Sequence, residues 1–248
     1  MILSVIKACK LLKIFTHKKN HFTIKELHIK LGYSLSTINR LCTTLEKEGF
    51  LIKDNKSNYH LSPRIFEFAS IAIDDVTLKS LIYNFMKDIV RETGESVALY
   101  IRVGFNRVCI EKYESANDLR QVLNLGQSLP LCVGASGKIL LAWMPEDLKK
   151  NYFNFLRNNP PDYFKKNIND LKKELEIIKK HKISFSVGER VIGSNSVSVP
   201  IFKRNGEVLS IAVTGPSIRM DDSRIQDIKN ILIKYADKIN KLFIAKDL

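Results

Sequence analysis

The stretch from Thr23 to Gly49, TIKELHIKLGYSLSTINRLCTTLEKEG, constrains this chain more than any other. Thr23 followed by Glu26 is a capping box. The Thr hydroxyl accepts a backbone N–H three residues on and the Glu carboxylate reaches back, so a helix should begin near Ile24. Ile24, Leu27 and Leu31 fall on one face at helical spacing. Gly32 can take the positive φ that closes a helix, and Ser34 stands where the next helix needs its N-cap. In that second helix Ile38, Leu41 and Leu45 are expected to face inward. Ser36, Thr37, Asn39 and Arg40 point the other way, near its N-terminal end. A helix, a tight turn and a second helix that opens on small polar residues form a helix-turn-helix, whose second helix enters the major groove of DNA. Asn pairs there with adenine and Arg with guanine, while Ser and Thr serve bases or phosphates. Two amphipathic helices packed in any bundle give the same short pattern, so the flanking sequence has to discriminate.

The flanks favour DNA. Gly49 to Ile52 is a short apolar strand, residues 53–58 (KDNKSN) have turn composition, and Tyr59-His60-Leu61 reads as a return strand. A hairpin after the recognition helix is a wing, with Lys53, Lys56 and Tyr59 placed to follow a phosphate backbone or a minor groove. A solvated surface hairpin is the alternative. Upstream, Val5, Ala8, Leu11, Leu12 and Phe15 make a helical stripe that can support the pair. The candidate DNA-binding residues are therefore Thr23, Ser34, Ser36, Thr37, Asn39, Arg40, Lys53, Lys56 and Tyr59. Charge agrees. The chain carries a net +14, and residues 1–62 hold 11 Lys/Arg against 4 Asp/Glu, so a quarter of the length supplies half of the excess. His17, His21, His28 and His60 lie there too. Such a basic lobe favours a polyanionic partner, although the chain is rich in Lys, Ile and Asn throughout, which raises its pI by composition alone.

With 248 residues, two domains are expected. No apolar run is long enough to span a membrane. Lys7, Lys10 and Lys13 interrupt any signal-peptide core. Cys9, Cys42, Cys109 and Cys132 are scattered without a CxxC pair and read as reduced thiols in a cytoplasmic protein. Ser62-Pro63 marks a boundary, and residues 64–73 (RIFEFASIAI) read as a linker helix with Ile65, Phe68, Ala69 and Ala72 on its apolar side. A helix is expected over Thr77 to Glu92, ended by Gly94. From Ser96 the apolar period changes to two. SVALYIRV and RVCIEKY read as strands joined by a turn at 104–106, with a weaker third strand from Gln121 to Leu125. A short helix over Ala135 to Trp143 follows, then two or three helices over 146–180 broken at Pro160-Pro161. Strands are expected at 183–187, 196–202 and 207–214, and a closing helix from about Asp222 to Ala245. Helices flanking a mostly antiparallel sheet make an α+β chain. The divisions are 1–62 for the winged helix-turn-helix, 63–76 for the linker helix and 77–248 for the second domain.

These pieces, in this order and spacing, resemble the IclR family of bacterial transcriptional regulators along essentially the full length. The motifs that carry the resemblance are SVIKACKLLKIF, the helix-turn-helix and wing, LSPRIFEFASIA, GQSLPLCVGASGKILLAW, ISFSVGERVIGSNSVSVPIF and EVLSIAVTGPSIRM. The resemblance implies a winged helix-turn-helix, a linker helix and a GAF-like effector-binding domain. It implies binding to a double-stranded operator as a homodimer or homotetramer, with a small organic or aromatic acid as effector. The residues supply a physical reason for an acid: Gly134-Ala135-Ser136-Gly137 precedes a helix, and N–H groups exposed at a helix N-terminus attract a carboxylate. The family binds its ligand there, which implicates Ala135 and Ser136. Facing positions carried over from it are Ser186, Ser196, Ala212 and Thr214. Ser196 and Ser198 alternate with Val197 and Val199, so one strand face is hydroxyl-lined; a half-exposed Ser/Thr-rich strand explains it equally. The chain departs from the family in three places. Ser186 replaces an acidic residue of some members, Ala212 a serine of some, and Cys132 the histidine of many. Cys132 reads as a small buried hydrophobe, with a thiol sensor or soft metal ligand as alternatives.

Catalysis finds little support. Gly134-x-x-Gly137-Lys138 hints at a phosphate loop, but that motif needs Gly six positions before the Lys and Ser or Thr after it. Cys132 and Ile139 stand there instead. No GxSxG or HExxH occurs, and His181 is the only histidine beyond residue 62. Glu111, Glu114, Glu189 and Glu207 are available carboxylates, but charged strand ends account for them as well. No enzyme activity, cofactor or metal is expected, nor a membrane partner. The alternative functions are a small-molecule sensor without an operator, or an RNA-binding protein; residues 1–62 lack the sheet of stacking aromatics that RNA recognition uses.

Overall fold

The computed structural model describes residues 1–16, 18–72, 76–122 and 124–246. His17, Leu123 of the expected third strand, and residues 73–75 near the end of the expected linker helix lie outside them. The chain divides into two compact units, Met1–Val76 and Thr77–Leu248.

The first unit contains α1 (Leu3–Leu12), β1 (His21–Phe22), α2 (Ile24–Leu31), α3 (Leu35–Lys47), β2 (Leu51–Lys53), β3 (Tyr59–Leu61) and α4 (Ile65–Ala72). Its three antiparallel strands run in the order β1-β3-β2. The two-residue β1 was not foreseen, because nothing in so short a segment distinguishes a strand from a loop. Leu11, Phe22, Leu27, Ile38, Cys42, Leu45, Leu51 and Tyr59 form the core. Cys42 takes the inward place expected of Leu41, which packs at the edge of that core; steps of four and three from Ile38 reach Cys42 and Leu45. Helix α4 belongs to this unit: the Phe68 ring stacks on Phe50 at 5.5 Å, and Arg64 Nη1 donates to the Glu48 carbonyl at 3.4 Å.

The second unit begins in α5 (Val76–Thr93) and is built on an antiparallel six-stranded sheet ordered β6-β5-β4-β9-β8-β7. The strands are β4 (Ser96–Val103), β5 (Asn106–Tyr113), β6 (Ser128–Pro130), β7 (Ser184–Val187), β8 (Ser194–Phe202) and β9 (Val208–Pro216). Strand β6 is the third strand expected at Gln121–Leu125, displaced toward the C-terminus. Among the described residues 121–125 hold no strand. Gly126, at φ +73°, turns the chain there, and its N–H donates to the Cys109 carbonyl at 2.7 Å. Only after that turn does Ser128–Pro130 reach register with Asn106–Val108.

Period-two alternation sorts side chains to the two sheet faces. Val97, Leu99, Val197, Val199, Ile201, Ile211 and Val213 pack beneath α5 and the C-terminal helix α9 (Asp222–Lys246). Ala98, Tyr100, Cys109 and Ala212 face the other layer, made by α6 (Ala135–Ala142), α7 (Glu146–Asn158) and α8 (Ile168–His181). Each such fully buried aliphatic side chain contributes about 1.5–3 kcal/mol relative to exposure. No helix of the described residues is long and apolar enough to cross a membrane.

Candidate functional site

The start of α3 is organised by hydroxyl groups. Ser34 is its N-cap: the Thr37 N–H donates to Ser34 Oγ at 3.3 Å. The Ser34 hydroxyl also lies 2.9 Å from Thr37 Oγ1 and 3.1 Å from Ser36 Oγ. The α2 capping box is formed too, with Thr23 Oγ1 accepting from Glu26 N–H and Glu26 Oε2 accepting from Thr23 N–H at 2.9 Å. Lys19, hydrogen-bonded to the Glu26 carboxylate, and the Thr23 N–H hold its pKa down to about 2. Gly32 closes α2 at φ +69°. The turn between α2 and α3 is thus set from both sides, and α3 presents Ser36, Asn39 and Arg40 to solvent with Thr37 half-buried beside them.

The wing divides the residues expected of it. Lys53 and Lys56 are exposed, and the turn between them is tied by Asp54. Its Oδ1 accepts the N–H groups of Lys56 and Asn58 at 2.9 and 2.8 Å, and its Oδ2 accepts from Asn58 Nδ2 at 2.9 Å. The Asn58 and His60 side chains hold this carboxyl well below the usual range. Tyr59, expected among the DNA-binding residues, is not exposed with them. Its ring is 2% exposed in the core of the unit, and burial raises its phenol pKa. In β3 it alternates with the half-exposed His60, so the strand's pleat turns it inward. Thr23 and Ser34 are in place as caps.

In the second unit a small cavity of about 40 Å³ lies at the N-terminus of α6. It is lined by Tyr100, Arg107, Gly134, Ala135, Ser136, Ser186, Arg190, Ser194, Ser196 and Thr214, among others. The structure therefore brings together Ala135, Ser136, Ser186, Ser196 and Thr214 from four separate segments. Thr214 stands opposite Ser196 in the β8–β9 pairing, and Ser196 opposite Ser186 in β7–β8. The Ala135 N–H donates to Ser196 Oγ at 3.4 Å. Ala212 does not line the cavity. It is 2% exposed and packs in the apolar layer beneath α6; it shares a face with Thr214 but sits deeper under the helix. Ser198, expected on the same hydroxyl face, is buried and bonded to Ser210 Oγ at 2.6 Å and to the Ile211 carbonyl at 2.8 Å.

Two features of this site escaped the sequence. The first is Arg107, only 3% exposed. Its Nη1 donates to the carbonyls of Pro130 and Val133, both at 2.6 Å, and the guanidinium lies 5.7 Å from the Tyr100 ring centre. The glycine spacing of the α6 loop follows from this side chain. A Cβ at Gly137 would fall 2.7 Å from the Leu131 carbonyl oxygen and nearer still to Arg107 Nη1, and one at Gly134 would meet Nη2 at 2.9 Å. Gly134-x-x-Gly137 leaves room for an arginine. The second is Lys138, which is fully buried. Its Nζ donates to Glu174 Oε1 at 2.6 Å, Glu189 Oε1 at 2.7 Å and the Phe185 carbonyl at 2.9 Å. Lys166 bridges the same two carboxylates at 2.8 and 3.0 Å. Glu189 Oε2 accepts the Gly134 N–H at 2.8 Å. Burial alone would raise the Glu189 pKa, but Lys138, Gly134 and Lys166 together leave it lowered. A charged cluster thus fastens the segment after β7 to the first turn of α6. Cys132, 1% exposed beside this layer, has its thiol pKa pushed up by burial, which favours the inert reading over a reactive thiol.

The winged helix-turn-helix and the α/β unit with its polar cavity define a two-part DNA-binding regulator, and the comparisons agree. Residues 71–241 match the family described as bacterial transcriptional regulator IclR, C-terminal, and residues 4–55 match the IclR helix-turn-helix domain. The chain belongs to the IclR family of transcriptional regulators. It is 25% identical to the HTH-type transcriptional regulator KipR of Bacillus subtilis, over 95% of this chain and 96% of that protein. Its fold is similar to an IclR family regulator from Brucella abortus, with TM-score 0.85 and 23% identity over 98% of this chain and 93% of that one. It is also similar to an IclR homologue from Microbacterium hydrocarbonoxydans solved in complex with 4-hydroxybenzoate, with TM-score 0.79 and 15% identity over 98% and 99% of the two chains. These relatives are regulators and not enzymes.

Proposed function

We propose that this regulator is a cytoplasmic repressor whose operator binding is controlled by a small carboxylate-bearing effector. The observation that carries the DNA half is the exposed polar surface of α3, with Ser36, Asn39 and Arg40 open to solvent beside a fully capped turn. Residues 1–62 are the DNA-binding domain, 63–76 the linker and 77–248 the effector-binding and oligomerisation domain. A homodimer or homotetramer presents paired α3 helices to a palindromic site, so that half-site spacing follows the protein's symmetry. Asn39 and Arg40 read base edges, with Ser36 and Thr37 at bases or phosphates, while Lys53 and Lys56 hold the wing on phosphates.

The effector binds at the first turn of α6, against Ala135, Ser136, Ser186, Ser196 and Thr214. The aligned N–H groups there favour an anion. The acid bound by the Microbacterium relative is consistent with that class. Binding shifts the oligomer between operator-competent and incompetent states through the linker, and does so only by the effector's differential affinity for the two.

Footprinting on the DNA upstream of the protein's own gene, with random competitor at moderate salt, tests this reading. A symmetric protected site that a carboxylate releases supports it. Salt-sensitive smearing alone would point to a general polyanion binder. Thr214→Ala should weaken the effector response and leave unliganded operator binding intact.

A further inference from the structure

The cavity at α6 holds more positive charge than one carboxylate balances. Arg107 is buried, its two hydrogen bonds end on carbonyls, and its Nε has no partner. Arg190 lines the same cavity and forms no ion pair among the described residues. The nearby carboxylate of Glu189 is already taken by Lys138, Lys166 and the Gly134 N–H. Two guanidiniums without an acid therefore share a small polar space with the N-terminus of α6. A buried charge without a counter-charge is costly, and arginine cannot relieve that cost by losing its proton at neutral pH. The remaining walls are the hydroxyls of Ser136, Ser186, Ser194, Ser196 and Thr214, with Tyr100, Leu129 and Val191 beside them. Arg190 sits in a loop bracketed by Gly188 and Gly193, at φ +61° and +80°.

We infer that the effector is a compact dianion, a short-chain dicarboxylate, held at one end by Arg107 and the α6 N-terminus and at the other by Arg190. This rests on the reading of the cavity as the effector site. Planar guanidiniums match carboxylates in geometry as well as charge, so a second carboxylate adds a second oriented contact. Arg107 and Arg190 set the specificity, and Ser136, Ser196 and Thr214 orient the ligand between them. A monocarboxylate leaves one guanidinium without its acid.

The test is calorimetric titration of the full-length protein with malonate and succinate, and with acetate, butyrate and 4-hydroxybenzoate as monocarboxylates. Inorganic phosphate serves as a dianion without carboxylates. Each is repeated on Arg190→Gln and Thr214→Ala. Arg190 makes no ion pair among the described residues, so its variant should fold even where one at the buried Arg107 does not. The expected result is that a dicarboxylate binds more tightly than every monocarboxylate, and that Arg190→Gln weakens it by about tenfold or more, the loss of one charge-assisted contact. Monocarboxylates binding as tightly as dicarboxylates, with both weakened by Thr214→Ala, would overturn the dianion and leave the effector site standing. Phosphate binding in place of dicarboxylates would overturn the dicarboxylate assignment alone. No binding by either class of acid, or binding that both variants leave unchanged, would overturn the effector-site reading and the inference together.

Discussion

The two candidate sites are built on opposite plans. At α3 the candidate side chains are exposed, apart from the half-buried Thr37, lie within five residues of one another, and are held indirectly by caps and a core behind them. At α6 they are buried or half-buried, come from α6, β4, β5, β7, β8, β9 and the segment after β7, and meet only because the sheet and the helix packed on it bring them together. DNA is a large preformed polyanion, so a protein reads it best with a convex polar surface open to water. A small acid has few atoms to recognise, and its site gains selectivity by excluding water and fixing charges in a medium where they interact strongly. One site tolerates substitutions as a surface does; the other responds as a core does.

That contrast can be broken most directly at Lys138. Lys138→Ala leaves Glu174 and Glu189 near α6 with only the half-exposed Lys166 between them, and should destabilise the second unit by about 3 kcal/mol in denaturant unfolding. The figure sits at the low end for a broken buried pair because both carboxylates retain some contact with water. A loss no larger than that of an exposed lysine would mean that the α6 site is no more core-like than α3. The same cluster carries a pH signature. The Glu189 pKa is lowered in the folded protein, so its contribution is in place above the usual carboxylate range and is lost as pH falls through it. Acid unfolding of the second unit should move to lower pH than wild type, or flatten, in Glu189→Gln once the neutral-pH difference is subtracted.

Arg40→Ala should cost about 2 kcal/mol at the operator and relax specificity at one base position, with folding stability unchanged. An equal loss on random DNA would assign Arg40 to phosphate. Ser34→Ala removes the α3 cap and should cost about 1 kcal/mol of stability in the first unit, with operator affinity falling only as α3 frays. The smallest effect is expected at the wing tip. Lys56→Ala should lower the magnitude of the salt-dependence slope of DNA binding by about one and leave sequence preference intact. A change in preference there would make the wing a reader of sequence.

Tyr59 and Arg107 show where reading the sequence failed, in opposite directions. Tyr59 follows a basic turn, and neighbours alone make it a surface aromatic. Three strands had to pair, one of them the two-residue β1, before its ring could be enclosed. Arg107 stands near the start of an ordinary-looking strand, between Asn106 and Val108, and nothing local marks an arginine for burial. The one local signal was the Gly134-x-x-Gly137 spacing, a motif without the rest of a phosphate loop, whose cause is a side chain about thirty residues upstream. Gly126 likewise moved the third strand past its apolar segment, since a turn residue in the left-handed region overrides weak strand preference.

What the sequence by itself determined is whatever depends on near neighbours. That includes both caps, the α2–α3 turn, the polar side of α3, the wing turn, the change of period at Ser96 and the hydroxyl positions on β8 and β9. Hydrogen bonds three or four residues apart and side-chain periodicity do not need the rest of the molecule. Only the tertiary structure decided which of these residues share a site. Pairing of β9 with β8 and β4 set Thr214 across from Ser196, packing of α6 on the sheet buried Arg107 and Lys138, and the same packing put Ala212 out of the cavity's reach. Burial and electrostatic pairing are properties of distant segments brought together, and for a charged side chain they decide whether it is a solvated surface group or an anchor for a ligand.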